Sequence, residues 1–389
     1  MDNKKTSLGG RLASSEAFLS VAASLICIVI GLLLGVVVLA IINAEHAFGD
    51  GLLVILQSGI KSPRNMGTVL ANAAPLIMTG LSVGFAFKTG LFNIGAAGQY
   101  TLGAFGALYC AIVLQLPWYL CLLAAMVLGA LWGAIPGFFK AYMNINEVIT
   151  SIMFNWIGLF IVNLSLMNIP KMLPPYWVNS PVKDRTASLK YANPDAIIPK
   201  GGLDKLFDSP YINISILLAI VLAVVVYIIL NRTTFGYELK ACGNNRESAR
   251  YAGINAKRNI VLSMVIAGAL AGFGGALYYL SGEADYNILK VLQANGFNGI
   301  PVALLANSNP IGIIFSALFI SYIQIGGESM QPHFATENID IIISVIIYLA
   351  AFALLTKSII GKFFKTDKSN VNAEPKPSTV NATGKEESK

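Results

Sequence analysis

The sequence has little charge. Only 12% of its 389 residues are Asp, Glu, Lys or Arg, whereas an ordinary soluble domain has about 25%. Hydrophobic residues make up 55% of the chain, and the mean hydropathy is +0.66. These values exclude a soluble globular core, a disordered chain and a nucleic-acid-binding module. They predict an all-α polytopic membrane protein, with no nucleic acid among its partners.

Residues that carry out covalent chemistry are also scarce. The chain has two histidines and four cysteines, and no His or Cys spacing typical of zinc sites occurs. Neither a Ser/His/Asp set nor a pair of catalytic carboxylates emerges, and the phosphate-binding GxxxxGK[ST] pattern is missing. We therefore expect no catalytic residue, no metal site and no cofactor in this chain, so any ATP must be bound by a partner.

Long apolar runs are the main feature. A bilayer core about 30 Å thick needs about 20 helical residues per span, and the runs predict about ten spans within a transmembrane domain at 17–358. The run at 296–308 is short, which indicates a broken or re-entrant helix. The runs cover 17–43, 67–87, 91–114, 118–141, 146–169, 211–231, 259–281, 296–308, 310–327 and 338–358.

The distribution of Lys and Arg predicts the orientation. Basic residues concentrate in 1–16, 232–258 and 359–389, and loops rich in Lys and Arg remain cytoplasmic. Both termini are therefore expected to lie in the cytoplasm, and the segment 359–389 is expected to be a disordered tail. The polar, proline-rich segment 170–210 is expected to be an external loop.

The segment 232–258 predicts a short cytoplasmic helix. Asn244 can cap it, Glu247 follows three residues later as in a capping box, and Gly253 can end it in a left-handed turn. Such a rigid helix suits docking in a groove of a partner, although a solvated basic loop is an equal alternative. The candidate coupling residues are Asn244, Arg246, Glu247, Ser248, Ala249, Arg250 and Gly253.

Polar residues inside apolar runs are candidates to line a transport pathway. Unwound, glycine-rich helices commonly build transport sites, and residues 85–103 combine amides with glycines, although a cytoplasmic turn is the alternative. Each amide can equally hold helices together, and Glu147 can equally begin its helix. The pathway candidates are Phe92, Asn93, Gln99, Glu147, Asn155, Phe297 and Asn298, with Asn72, Asn146, Thr150 and Gln324 in the same polar class.

Two short motifs hint at an internal repeat. Leu91-Phe-Asn-Ile-Gly95 and Gly296-Phe-Asn-Gly-Ile300 both join Phe-Asn to glycine beside a short span. Inverted repeats with broken helices are typical of transporters.

Four stretches carry a family resemblance: Gly90-Leu-Phe-Asn-Ile-Gly-Ala-Ala-Gly-Gln99, Asn146–Asn155, 236–254 and Gly296–Pro310. Together they resemble permease subunits of bacterial ABC importers in the simple-sugar, nucleoside and branched-chain amino acid group. Within it they resemble nucleoside permeases that work with a lipoprotein of the basic membrane protein type. The chain departs from the pattern at Ala97, where many relatives carry Glu, and mildly at Lys240 and Ser248.

The resemblance implies a multi-pass subunit in the plasma membrane of a bacterium. It implies a separate ABC ATPase that binds ATP, a second permease subunit (identical or homologous), an external substrate-binding lipoprotein and nucleosides as substrate. On that basis 236–254 is the loop that docks on the ATPase and drives alternating access. The alternatives are a simple-sugar permease and a secondary transporter driven by an ion gradient, for which Glu147 and Asp340 are the candidate ion-binding carboxylates.

Overall fold

The fold is a bundle of α-helices, described here from a computed structural model. The structure describes residues 16–173, 185–288 and 290–331, together with 334, 335 and part of 340–349. The predicted N-terminal segment before residue 16 and the predicted tail 359–389 lie outside these residues. The helices are α1 (Glu16–Ile42), α2 (Val54–Ser58), α3 (Pro63–Lys88), α4 (Ala96–Ile112), α5 (Trp118–Met143), α6 (Glu147–Asn168), α7 (Leu189–Ala192), α8 (Leu203–Phe207), α9 (Ser215–Arg232), α10 (Thr234–Asn244), α11 (Arg246–Tyr251), α12 (Ala256–Tyr279), α13 (Ala294–Phe297), α14 (Gly299–Leu305) and α15 (Pro310–Glu328).

The expected polytopic all-α class is confirmed. Within the described ranges, six helices are long and apolar enough to cross a membrane, namely α3, α5, α6, α9, α12 and α15. A further helix, α1, has 27 residues, and α4 has 17. The last predicted span, 338–358, lies largely outside the described residues.

The run at 296–308 is broken, as its length predicted. It forms α13, with 4 residues, and α14, with 7, which meet at Asn298. Neither is long enough to cross a bilayer alone, because a helix rises about 1.5 Å per residue. Backbone hydrogen bonds continue across the break, since Asn298 N donates to Ala294 O at 2.9 Å and Val302 N donates to Asn298 O at 3.4 Å.

Helices α12 and α3 form the centre of the bundle. Within the apolar 18-residue stretch of each helix, 83% of the residues are buried in α3 and 72% in α12, against 33% in α6 and in α9. Gly272 of α12 packs directly on the backbone of Gly103 in α4 and of Ala125 in α5. Small residues allow such close approach, which drives helix association where lipid is as apolar as the protein.

The two predicted extramembrane segments lie at opposite ends of the bundle. Helix α9 joins them through 18 residues, which is about 27 Å at 1.5 Å per residue. Residues 185–214, the cap, pack on 280–288, where Ile198 N donates to Leu280 O at 2.9 Å and Lys190 Nζ lies 3.0 Å from Glu283 Oε2. Residues 232–258, the coupling segment, lie at the other end.

Gly272→Ala is expected to destabilise the bundle. The added methyl group would overlap Ala125 O and lie 3.0 Å from Gly129 Cα, and overpacking a tight core costs about 1–3 kcal/mol. Thermal unfolding in detergent should show a lower Tm than wild type. Gly49→Ala is the matched control, because no atom lies within 4 Å of its added methyl group. An unchanged Tm for Gly272→Ala would contradict the packing account.

Candidate functional site

Two of the pathway candidates, Asn93 and Gln99, bind each other in the buried interior. Their exposed fractions are 0% and 1%. Asn93 Nδ2 donates to Gln99 Oε1 at 2.7 Å and to Ser82 Oγ at 2.9 Å, and Gln99 Nε2 donates back to Asn93 Oδ1 at 3.1 Å. These bonds fix the segment 90–95, which precedes α4, against α3.

A third candidate, Asn155 on α6, caps α4 from a neighbouring helix. Its Oδ1 accepts from Gly98 N at 2.8 Å, and its Nδ2 donates to Ile94 O at 3.0 Å. The first N–H groups of a helix have no hydrogen-bond partner within the helix. Asn155 supplies an acceptor for one of them, which Gly95 at the start of α4 cannot do. Placement of these three amides favours a bracing role, which the sequence left open beside a substrate-lining role.

A separate cleft opens between α3, α12, α13 and α15. Two cavities of about 280 and 270 Å³ adjoin there and share Asn72, Tyr278 and Glu328 in their walls. Ligand sites in proteins begin at about 300 Å³, so the combined space suits a small molecule. Of the pathway candidates, Asn298 lines this cleft, and Asn72 and Gln324 line it too.

The chemistry of the cleft is that of neutral hydrogen bonding. Five side-chain amides line it beside the ring of Tyr278, from Asn72, Asn213, Asn295, Asn298 and Gln324. Its charged lining residues are the carboxylates of Glu283, Glu328 and Asp340. Glu283 is paired with Lys190, and no Lys or Arg is found among the described lining residues. The cleft can therefore bind a polar uncharged molecule and disfavours an anion.

Sequence reasoning missed Asn295, Tyr278 and Glu328. Asn295 lies one helical turn before Asn298, and i, i+3 residues share a helix face, so that spacing was a usable signal. Tyr278 and Glu328 lie near the ends of apolar helices, where such residues are common. Nothing in the local sequence therefore distinguished them as residues that line a cleft.

The remaining pathway candidates lie elsewhere. Phe92 stacks on Phe87 with ring centroids 5.0 Å apart, and Phe297 is half-buried outside the lining of the cleft. Glu147 begins α6, where its Oε2 lies 2.7 Å from Lys140 Nζ. The sequence allowed Glu147 either to line the pathway or to begin its helix, and the structure places it at the start of α6. An acidic side chain is favourable in the first turn of a helix.

The predicted helix of the coupling segment is present, but the prediction that Asn244 caps its N-terminus was wrong. Asn245 caps α11, because its Oδ1 accepts from Ser248 N at 3.0 Å, whereas Asn244 is the last residue of α10. Helix α10 extends through the position where we expected a loop. Glu247 therefore lies one position too early for a capping box and instead pairs with Arg250, 3.4 Å away.

The predicted end of this helix is confirmed. Gly253 has φ +81°, the left-handed conformation that glycine adopts readily. Gly253 N donates to Arg250 O at 3.0 Å and Ile254 N to Ala249 O at 3.0 Å, which is the bonding pattern of a Schellman motif. The short helix is thus fixed at both ends.

A groove of about 550 Å³ lies between α10 and α11, and its walls include Tyr237, Ala241, Ser248, Ala249 and Ile254. Tyr237 beside it is 69% exposed and Tyr251 is 93% exposed. Exposed tyrosines at a rigid groove are typical of a protein-docking surface. Three of the coupling candidates line this groove, namely Asn244, Ser248 and Ala249. The others lie on α11 or at its end, namely Arg246, Glu247, Arg250 and Gly253.

Comparison with known proteins defines the class. Residues 65–351 match the family described as branched-chain amino acid transport system / permease component. The chain belongs to this family and is a membrane-spanning transport subunit of the ABC permease type.

Individual relatives align over nearly their whole length. The nucleoside ABC transporter permease protein NupB of Lactococcus lactis is 35% identical over 88% of this chain and 93% of its own. The guanosine ABC transporter permease protein NupP of Bacillus subtilis is 32% identical over 88% and 96%. The glucose ABC transporter permease protein TsgB13 of Haloferax volcanii is 27% identical over 90% of each chain. No solved structure matches the chain.

Asn155→Ala is expected to destabilise the protein by about 1–3 kcal/mol, the cost of leaving buried hydrogen-bonding groups without partners. Gly98 N and Ile94 O would lose their bonds to the amide. Thermal unfolding in detergent measures the effect. Asn168→Ala is the control on the same helix, because the exposed Asn168 bonds only Leu164 O of its own helix. Equal Tm values for the two variants would contradict the bracing role.

Proposed function

We propose that this chain is the membrane-spanning subunit of an ATP-driven importer of nucleosides. The observation that carries the proposal is its identity of 35% and 32% with two nucleoside-importer permeases, over nearly their full lengths. The cleft supports it, because amides can hydrogen bond the base and the ribose hydroxyls, and an aromatic ring can stack on the base. Stacking contributes about 1–3 kcal/mol per base.

A simple sugar is the second candidate, favoured by the identity of 27% with a glucose permease. The same amides could bind sugar hydroxyls. The ion-gradient alternative requires a free embedded carboxylate, yet Glu147 is paired with Lys140. That pairing argues against Glu147 as a proton or cation site, so the ion-gradient alternative depends on Asp340, which lines the cleft beside Glu328.

The coupling segment is the proposed contact with a separate ABC ATPase, which binds and hydrolyses the ATP. The permease itself needs no cofactor in this proposal. ATP-driven closure of two ATPase domains moves α10 and α11, and the cleft alternates between the two sides of the membrane. The charge distribution supports cytoplasmic termini, because Lys and Arg concentrate in 1–16 and 359–389 as well as in the coupling segment.

The remaining partners follow from the same proposal. A second permease subunit, identical or homologous, completes the path across the plasma membrane of a bacterium. An external substrate-binding lipoprotein delivers the nucleoside at the cap end, where the cleft has its rim at Tyr211 and Glu283. The long apolar surface of α6, with a window only 33% buried, is available to lipid or to that second subunit.

Uptake by cells tests the substrate class. Cells with the gene should accumulate radiolabelled uridine and adenosine, and cells without it should not. Unlabelled nucleosides should compete, whereas ribose and free nucleobases should not. Gene-dependent uptake that ribose blocks would replace nucleosides by sugars, and absence of uptake with the protein confirmed in the membrane would contradict the nucleoside proposal.

Asn298→Ala should raise the KM for nucleoside uptake about 3–10-fold, as expected for one lost neutral hydrogen bond. Its amide faces the cleft at the break between α13 and α14. Initial uptake rates over a range of nucleoside concentrations measure KM. Asn168→Ala, exposed and outside the cleft, should leave KM unchanged, and an equal KM for the two variants would remove Asn298 from the substrate site.

Arg250→Glu should reduce uptake about tenfold or more, because reversing a charge at a docking surface places like charges together. The side chain of Arg250 is 66% exposed, so the fold should persist. Copurification of the ATPase and transport rate are the measurements. Lys205→Glu reverses an exposed charge in the cap, at the other end of the bundle, and is the control for copurification of the ATPase. Normal uptake by Arg250→Glu would remove this residue from the docking contact.

A further inference from the structure

Two glycines bring the coupling segment into direct backbone contact with the segment that precedes α4. A methyl group on Gly243 would lie 2.7 Å from Thr89 C and 2.8 Å from Gly90 N. A methyl group on Gly90, which has φ +73°, would lie 2.6 Å from Gly243 Cα. No side chain separates the two backbones, so neither can yield by changing a rotamer.

Helix α10 is held at this contact by polar bonds to α12. Asn259 Nδ2 donates to Glu238 Oε2 at 3.2 Å and to Cys242 Sγ at 3.7 Å. On the other side of the contact, Thr89 after α3 is hydrogen bonded through its hydroxyl to Ser263 of α12. A displacement of α10 by a docked partner therefore presses on Thr89 and Gly90 rather than opening a gap.

Beyond Gly90, the chain connects to the cleft without a flexible step. Asn93 and Gln99 join the segment 90–95 to the first turns of α4 through buried hydrogen bonds. Ala97 in that turn packs backbone to backbone on Gly296 of α13, which carries Asn295 and ends at Asn298 in the wall of the cleft.

We infer that Gly243 and Gly90 are the positioning contact through which movement of the coupling segment reaches the cleft, by way of Asn93, Gln99, Ala97 and Gly296. We call these six residues the relay. The inference rests on the proposed coupled transport and adds the route to it. Close-packed interiors transmit displacement because they are poorly compressible. The amides of the relay are therefore needed for coupling and need not touch the substrate.

Gly243→Ala tests the inference in the full transporter, with ATPase and binding protein, reconstituted in vesicles. Nucleoside uptake per ATP hydrolysed should fall about tenfold, within the 5–150-fold range of ordinary coupling between sites. The amount of assembled complex is measured beside this ratio, because the added methyl group crowds the backbone of Thr89 and Gly90. Gly49→Ala, whose added methyl group meets no atom, should keep the wild-type ratio.

Asn93→Ala interrupts the relay on the other side of Gly90 and should give the same loss of uptake per ATP. In the double variant the two losses should not multiply, because both act on one route. If Gly243→Ala fails to assemble, the ratio measured for Asn93→Ala decides alone.

A wild-type ratio in assembled Gly243→Ala, a wild-type ratio in Asn93→Ala, or fully multiplicative losses in the double variant would overturn the relay. Failure of the proposed function is distinguishable, because the wild-type transporter would then show no ATP-dependent nucleoside uptake at all.

Discussion

Close backbone packing of α12 on α4 and α5 is the interaction on which the rest of the structure depends. In a bilayer the hydrophobic effect does not drive one helix to pack on another, because lipid is as apolar as the helices. Helix association therefore depends on contact between closely approaching backbones. Gly272, Gly268 and Gly129 provide it, since their backbones touch where a Cβ atom would not fit. This packing fixes α12 in the centre of the bundle. The coupling segment lies at the start of α12, and the cleft lies near its end.

Polar groups in this interior divide into two kinds. Asn93, Gln99 and Asn155 satisfy one another or nearby backbone, so their cost of burial is offset within the protein. The amides of Asn72, Asn298 and Gln324 face a cleft instead, where a ligand can bond them. The difference lies in whether glycine packing closes the space around the amide or the break between α13 and α14 leaves it open.

Much of the fold was predictable from the sequence, because apolar length and helix-ending glycines are local signals. The broken run at 296–308 and the left-handed turn at Gly253 are examples. The site was less predictable, since Asn93 and Asn298 both follow a Phe and have a Gly within two residues yet have different neighbours in the fold. Likewise Asn244 and Asn245 are equivalent caps by sequence, and only the length of α10 decides between them. The orientation of the termini and the internal repeat stay predictions.

The central claim is that the coupling segment and the cleft are mechanically joined across the bundle. The most direct measurement is the width of the cleft, by electron spin resonance between labels at Tyr211 and Ala294, in the assembled transporter with and without trapped ATP. Both residues line the cleft and are exposed to labelling. The account predicts a change in this distance when ATP closes the ATPase domains. The same distance distribution in both nucleotide states would contradict it.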